Sequence, residues 1–236
     1  MAKASENSIS GIREAILDGV WAPGARLAPP ELAKMFSTST TVIRESLTRL
    51  AGEGLAESIP NRGFFVAQLN LRQLRDMTEL RCVTEALAAS LAVQRGDVNW
   101  ESKLIAVHHK LSKTPRRSPE SPQQFSTEWG RVHREFHQLL LAPCDCPPML
   151  ALSSNLANST LLYRRWAAPS SAASSRNVEA EHQALLDAAL ARDGELLGRL
   201  LRTHYESSVQ VILDAGLFDA ETAPTSSGTT TGTAAS

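Results

Sequence analysis

Six histidines occur in 236 residues, and four of them are spaced so that they can converge. His133 and His137 lie four apart in Trp129-Gly130-Arg131-Val132-His133-Arg134-Glu135-Phe136-His137, which puts both on one face of a helix. Arg134 and Glu135 fall off that face and read as solvated. His182 and His204 are 22 residues apart. That gap holds the rest of one helix, a turn and most of a returning helix, so both side chains can reach one level of a bundle. Four imidazoles from three helices can close on a divalent metal in a bundle core. All-nitrogen ligation favours a transition metal, Zn²⁺ or Ni²⁺ first and Cu²⁺ next, over Mg²⁺ or Ca²⁺. Spacing alone also fits histidines scattered over helix surfaces or cores, because pairs four apart arise by chance.

Arg81 is a second group with binding chemistry. A guanidinium facing a bundle core can grip a carboxylate through two parallel hydrogen bonds. The plainer alternative is an ion pair with Glu79 or Glu85 on the same helix. Tyr163 and Arg164 could add contacts, although spacing does not single them out. A helical metalloenzyme is the enzymatic alternative. Against it, no nucleophile or carboxylate base stands at a telling sequence distance from the histidines, and four imidazoles leave little room for an activated water.

Composition bounds these readings. Apolar residues make up 42% and charged residues 21%, ordinary values for a globular protein long enough for two modest cores. No run reaches the length of a membrane span, and residues 1–20 lack the apolar stretch of a signal peptide. Cys82, Cys144 and Cys146 make no even disulfide framework, which points to a reducing cytoplasm. Net charge is −1. In residues 8–69, Arg13, Arg26, Lys34, Arg44, Arg49 and Arg62 are balanced by Glu14, Asp18, Glu31, Glu45, Glu53 and Glu57. Any nucleic-acid binding there needs the positive charge gathered on one face.

The order of elements is more informative. Ile9, Ile12, Ala15, Ile16 and Val20 share a helical face, and Trp21-Ala22-Pro23-Gly24 ends it. Glu31 to Phe36 reads as a second helix, Ser37-Thr38-Ser39-Thr40 as a polar turn, and Val42, Ile43, Leu47, Leu50 and Ala51 as the stripe of a third helix. Leu55–Ile59 and Phe64–Leu69 flank Pro60-Asn61-Arg62-Gly63 as a hairpin. Three helices and a hairpin predict a winged helix-turn-helix over residues 1–69. From Asn70 onward strand signals vanish. Helical patterns over about 71–94, 98–113, 124–142, 147–166, 176–191 and 193–214 predict an antiparallel bundle spanning residues 70–216. Residues 217–236 read as a disordered tail. The fold class is therefore mostly α.

In a helix-turn-helix the second helix of the pair can enter a major groove. Ser39, Thr40 and Thr41 at its N-terminus suit phosphate, and Arg44 can pair two acceptors of a guanine or clamp a phosphate. Arg62, freed at the hairpin tip by Gly63, can reach an adjacent groove. The candidate DNA contacts are Ser39, Thr40, Thr41, Arg44, Arg49, Asn61, Arg62 and Gly63. Taken singly, each also fits a helix cap or a solvated charge.

Ile12-Arg13-Glu14-Ala15-Ile16-Leu17, Pro23-Gly24-Ala25-Arg26-Leu27, Glu31-Leu32-Ala33, Ser39 through Leu47, Glu53-Gly54-Leu55 and Asn61-Arg62-Gly63-Phe64-Phe65-Val66 follow one another in unbroken order. This run resembles the GntR family of transcription regulators. The resemblance implies a homodimer on a palindromic operator. Thr40 and Pro30 stand where the family commonly has arginines, so Arg44 and Arg62 carry more of the basic contact. Glu79-Leu80-Arg81 with Glu85, Phe136-His137, Glu181-His182 and His204 resemble the all-helical (FCD) effector domain of the FadR-type branch. That branch implies a metal held by one Asp and three His, completed by a carboxylate effector. His137, His182 and His204 match this pattern, and His133 stands where Asp is usual. A neutral imidazole there leaves the site more positive toward an anion, or marks a cluster that binds the carboxylate without metal. The implied function is a repressor released by a small carboxylic acid, with a metal-responsive regulator as the alternative.

Overall fold

The computed structural model describes residues 2–118 and 125–218. Helix α1 (Ala2–Leu17) buries Ile9, Ile12 and Ile16. It stops where Gly19 takes φ +75°, a conformation open to glycine at little cost. Val20, expected on the inner face, lies past that turn and is 60% exposed. Pro29 and Pro30 occupy the first turn of α2 (Pro29–Met35), where a missing N–H costs nothing. After the turn through Ser37, α3 (Thr40–Gly52) begins with Ser39 Oγ accepting the Val42 N–H at 3.2 Å.

Three short strands complete the N-terminal half. β2 (Ala56–Ile59) and β3 (Gly63–Val66) form the expected hairpin, and β1 (Arg26–Leu27), unforeseen because it is two residues long, pairs antiparallel with β3. The order is β1-β3-β2. Ile59 pairs with Gly63, itself at φ +101°, across a three-residue tip in which Asn61 is left-handed.

The second half is built on helices α4 (Leu71–Arg95), α5 (Val98–Lys113), α6 (Thr127–Leu141), α7 (Pro147–Ser159), α8 (Leu161–Ala167), α9 (Ser171–Ser175), α10 (Val178–Leu190) and α11 (Gly194–Asp214), with one isolated antiparallel bridge between Arg117 and Phe125. Asn70, Asp97, Ser126, Asn177 and Asp193 cap α4, α5, α6, α10 and α11 by accepting an N–H from three residues on. The helix predicted over 147–166 is broken at Thr160, whose Oγ1 bonds the carbonyls of Leu156 and Ala157. Helix α9 lies in the gap between the helices expected over 147–166 and 176–191. The long helices α4 and α11 lie close because Gly194 and Gly198 of α11 face α4: a Cβ at Gly194 would sit 2.9 Å from Ser90 Cα.

Two apolar cores form. One is inside the bundle, around Trp100, Leu104, Phe136, Leu140, Leu185 and Leu201. The other starts in the winged helix with Ile12, Leu47 and Val66 and continues into Leu74 of α4, Leu162 and Tyr163 of α8 and Ile212 of α11. Leu217 and Phe218, placed in the tail by sequence, pack against this second core, and the rest of the expected disordered tail lies outside the described residues.

Candidate functional site

The structure gathers part of the candidate DNA surface. Arg44 on α3, Asn61, Arg62 and Gly63 at the hairpin tip, and Arg26 on β1 line one groove that includes no carboxylate. The even charge balance of this half is thus resolved in space: Glu53, for example, is taken by Arg13 at 2.7 Å. Arg26 was not singled out by sequence, and only the pairing of β1 with β3 brings it here. Thr40 and Thr41 are exposed at the start of α3. Arg49 is exposed but absent from the groove, since five residues past Arg44 is about 140° around a helix.

The four histidines meet. His133 and His137 come from α6, His182 from α10 and His204 from α11, and one ligand nitrogen from each lies within 4.8 Å of the others. All four are buried. Two nitrogens about 2.1 Å from one ion are at most about 4.2 Å apart, so small ring movements would suffice to close the set. Burial and mutual repulsion hold His133, His137 and His182 well below the ordinary imidazole pKa. Burial also lowers His204, to about 4, against the opposing pull of Glu181. All four are therefore neutral near pH 7, the state that offers a lone pair. The Nε2 atoms of His137 and His182 are buried without a hydrogen-bond partner, a cost of about 1–3 kcal/mol each in the absence of a ligand. This donor set fits a divalent transition metal.

A carboxylate does stand against the cluster, contrary to the sequence expectation. Glu181 Oε2 is 2.6 Å from His204 Nδ1. Burial would raise Glu181, but hydrogen bonds from His204 and Arg176 outweigh it and bring its pKa to about 2. An ionised carboxylate only accepts, so His204 Nδ1 carries the proton and Nε2 keeps the lone pair. Arg176 grips both Glu181 oxygens, at 2.8 and 2.5 Å, and donates to the His204 carbonyl. Glu181 neighbours His182 in sequence and so faces another direction, which is why its role was not legible from spacing.

Arg81 combines its two sequence readings. Its Nε donates to Glu85 Oε1 at 2.7 Å, with Ser153 and Tyr205 on the same carboxylate, and its guanidinium stacks 3.8 Å over the Tyr205 ring. It also lines a cavity of about 220 Å³ next to His133, His137 and His204. For scale, a cavity of about 150 Å³ admits benzene. Arg134 is exposed, as expected, but borders the same cavity, and so do Arg116, Arg164, Arg165 and Arg176.

Comparison with known proteins agrees with this architecture. The model for bacterial regulatory proteins of the gntR family matches residues 6–66, and the FCD domain model matches residues 76–207. The uncharacterized HTH-type transcriptional regulator BphR of Paraburkholderia xenovorans is 34% identical over 212 residues, 90% of this chain and 86% of its own. The HTH-type transcriptional repressor GlaR of Escherichia coli is 28% identical, covering 86% of this chain and 93% of its own. Among solved structures, E. coli McbR/YncC has a TM-score of 0.67 at 21% identity, covering 90% of this chain and 98% of that one. That likeness is one of fold. The chain belongs to the GntR family of bacterial regulatory proteins, in the group carrying an FCD domain, and is an HTH-type DNA-binding transcription regulator rather than an enzyme.

Proposed function

We propose that this regulator is a repressor released from its operator by a small carboxylic acid bound in the histidine-lined cavity. The observation that carries the reading is a cluster of four buried, neutral imidazoles, two with unpartnered Nε2 atoms, three of which (His133, His137 and His204) line a cavity with arginines in its wall and no carboxylate among its lining residues. His133, His137, His182 and His204 would hold a Zn²⁺ or Ni²⁺ ion, which would supply a positive centre for the acid. Arg81 would orient the carboxylate. Repression follows the name of the relative GlaR.

Binding to DNA would use Arg44, Arg62 and Arg26 in the basic groove, with Ser39, Thr40 and Thr41 on phosphate and Arg49 as an outlying contact. A homodimer in a reducing cytoplasm accords with this. Leu80, Val83 and Leu87 form an exposed apolar stripe on α4, each about half exposed, which would suit a second copy.

The test is metal analysis of the purified chain and of His137→Ala, followed by a carboxylate screen of operator release. A stoichiometric metal lost in the variant, with release by an acid, is the expected result. Absence of metal after soaking with Zn²⁺ and Ni²⁺ would remove the metal from the proposal. A metal-responsive regulator is the second reading, favoured by the count of four protein nitrogens, which already completes a four-coordinate ion. Operator affinity that changes with metal alone would select it.

A further inference from the structure

A second cavity lies where the two halves of the chain meet. It measures about 390 Å³, within the range of about 300–1,000 Å³ that small-molecule sites occupy, and such sites favour junctions of this kind. Helix α1 and the turn after it supply Asp18 and Trp21, and α8 supplies Arg165 and Trp166. Phe125, just ahead of α6, completes its aromatic lining. Trp166 Nε1 is taken up by the Ile16 carbonyl at 3.4 Å, so its ring offers the cleft apolar surface. Asp18 and Arg165 are the two charged residues of this lining.

That charged pair is loose. Arg165 stands 3.9 Å from Asp18 and 3.7 Å from Glu14, both beyond hydrogen-bond reach. Among the described residues its one hydrogen bond goes to the Phe125 carbonyl, at 3.2 Å. Its side chain is only 9% exposed. A guanidinium sunk this far with most of its N–H groups unbonded is costly to hold. Asp18, by contrast, is 43% exposed and open to a further partner.

Charge decides what can lie here. A lone anion on Arg165 would meet Asp18 and Glu14, and a lone cation on Asp18 would meet Arg165. A molecule with both signs on neighbouring atoms satisfies the two sides together. Its carboxylate would fork onto the guanidinium and its ammonium would donate to Asp18, replacing the loose pair by charge-assisted bonds of about 2.7–2.9 Å. Its hydrocarbon part would then lie against the indoles and Phe125.

We infer that this cleft is a second ligand site, for an α-amino acid with an aromatic or large apolar side chain, held by Asp18 and Arg165 against Trp21 and Trp166. It shares Arg165 and Phe125 with the histidine cavity but is a separate space, and the inference does not depend on what that cavity binds. An occupant touches α1 and α8 at once, so its binding biases how the two halves dock and with that the affinity for operator DNA.

The experiment is titration of the full chain with L-phenylalanine, 2-phenylethylamine and 3-phenylpropionate, read by calorimetry and by tryptophan fluorescence. Phenylalanine is expected to bind about tenfold or more tighter than the amine or the acid, each of which lacks one charge. Asp18→Asn should bring phenylalanine down to the level of 3-phenylpropionate, and Trp21→Phe should diminish the fluorescence change while affinity stays within about threefold. Melting curves check that both variants fold. In His137→Ala phenylalanine should bind within about twofold, since His137 does not line the cleft. Absence of saturable binding, equal binding of the three compounds, or a preference that survives Asp18→Asn overturns the site. Loss of phenylalanine binding in His137→Ala overturns it too, by moving the ligand to the histidine cavity. Operator affinity should shift several-fold at saturating phenylalanine, and an unchanged value overturns the bias on docking.

Discussion

Arg165 of α8 borders the histidine cavity on one side and stands 3.7 Å from Glu14 of α1 on the other. It also lines the cleft between α1 and the bundle, together with Phe125, which belongs to both spaces. Its neighbours on α8 hold the same junction. Trp166 Nε1 donates to the Ile16 carbonyl, and the Tyr163 hydroxyl accepts from the Asn70 N–H at 3.1 Å. A two-turn helix thus touches the cavity with Arg164 and the DNA-binding half with Tyr163, Arg165 and Trp166. An anion in the cavity would compete with Glu14 and Asp18 for Arg165 and shift the docking of α1.

This relation predicts separable binding and response. Glu14→Gln with Asp18→Asn should leave metal affinity within about twofold, since neither residue lines the cavity, and should tighten rather than weaken carboxylate binding, since Arg165 loses its competing partners. Release from operator DNA by the acid should fall several-fold, within the range of about 5–150-fold typical of coupled sites. Fluorescence anisotropy of operator DNA with and without acid measures this, and an unchanged ratio would remove Arg165 as the link.

Stability of the metal-free chain should depend on pH in a defined window. The unfolded histidines take up protons below about pH 6.5, whereas the folded cluster stays neutral, His204 down to about 4. The unfolded state then binds more protons, so stability falls as pH drops from about 6.5 toward 4 and is insensitive to these groups above that window. Each histidine contributes about 1.4 kcal/mol per pH unit there. Melting temperatures of the apo chain at about pH 7.5 and pH 5 test the sign; a flat profile contradicts the neutral cluster.

Glu181→Gln should weaken metal binding by about 10–100-fold while the chain remains folded, because the carboxylate fixes the proton on His204 Nδ1 and Arg176 would lose its forked partner. Competition with a chromogenic chelator reads the change. Equal affinity would mean that His204 needs no carboxylate to present its lone pair.

In the basic groove, Arg44→Ala and Arg62→Ala should each cost about 1–3 kcal/mol in operator binding if they read bases, or lower the salt slope by about one if they hold phosphate. Arg26→Ala should behave like them, whereas Arg49→Ala should cost less. A loss at Arg49 larger than at Arg44 would place the DNA on a different face of α3.

The winged helix was legible in the sequence because its steps are local: Ser39 caps α3, and Asn61 and Gly63 turn the hairpin, although α2 begins at Pro29, two residues before the expected Glu31. The histidine cluster was legible in part for a similar reason, since a spacing of four fixes His133 and His137 on one face. What stayed hidden depends on tertiary closure. The contact of Glu181 with His204 requires α10 and α11 to pack, and the break at Thr160 leaves apolar periodicity on both sides. Arg26 joined the groove through two residues of strand, too short to carry a pattern.

The apolar core running from Ile12 through Leu74 and Tyr163 to Ile212 belongs to neither half alone. Cut at Leu69, the chain would bare Leu162, Tyr163 and Ile212 on one fragment and the Ile12 face on the other. The two halves are therefore welded rather than strung together, and melting should proceed as one cooperative transition. Grafting this DNA-reading head onto a foreign sensor would require carrying α8 and the end of α11 with it.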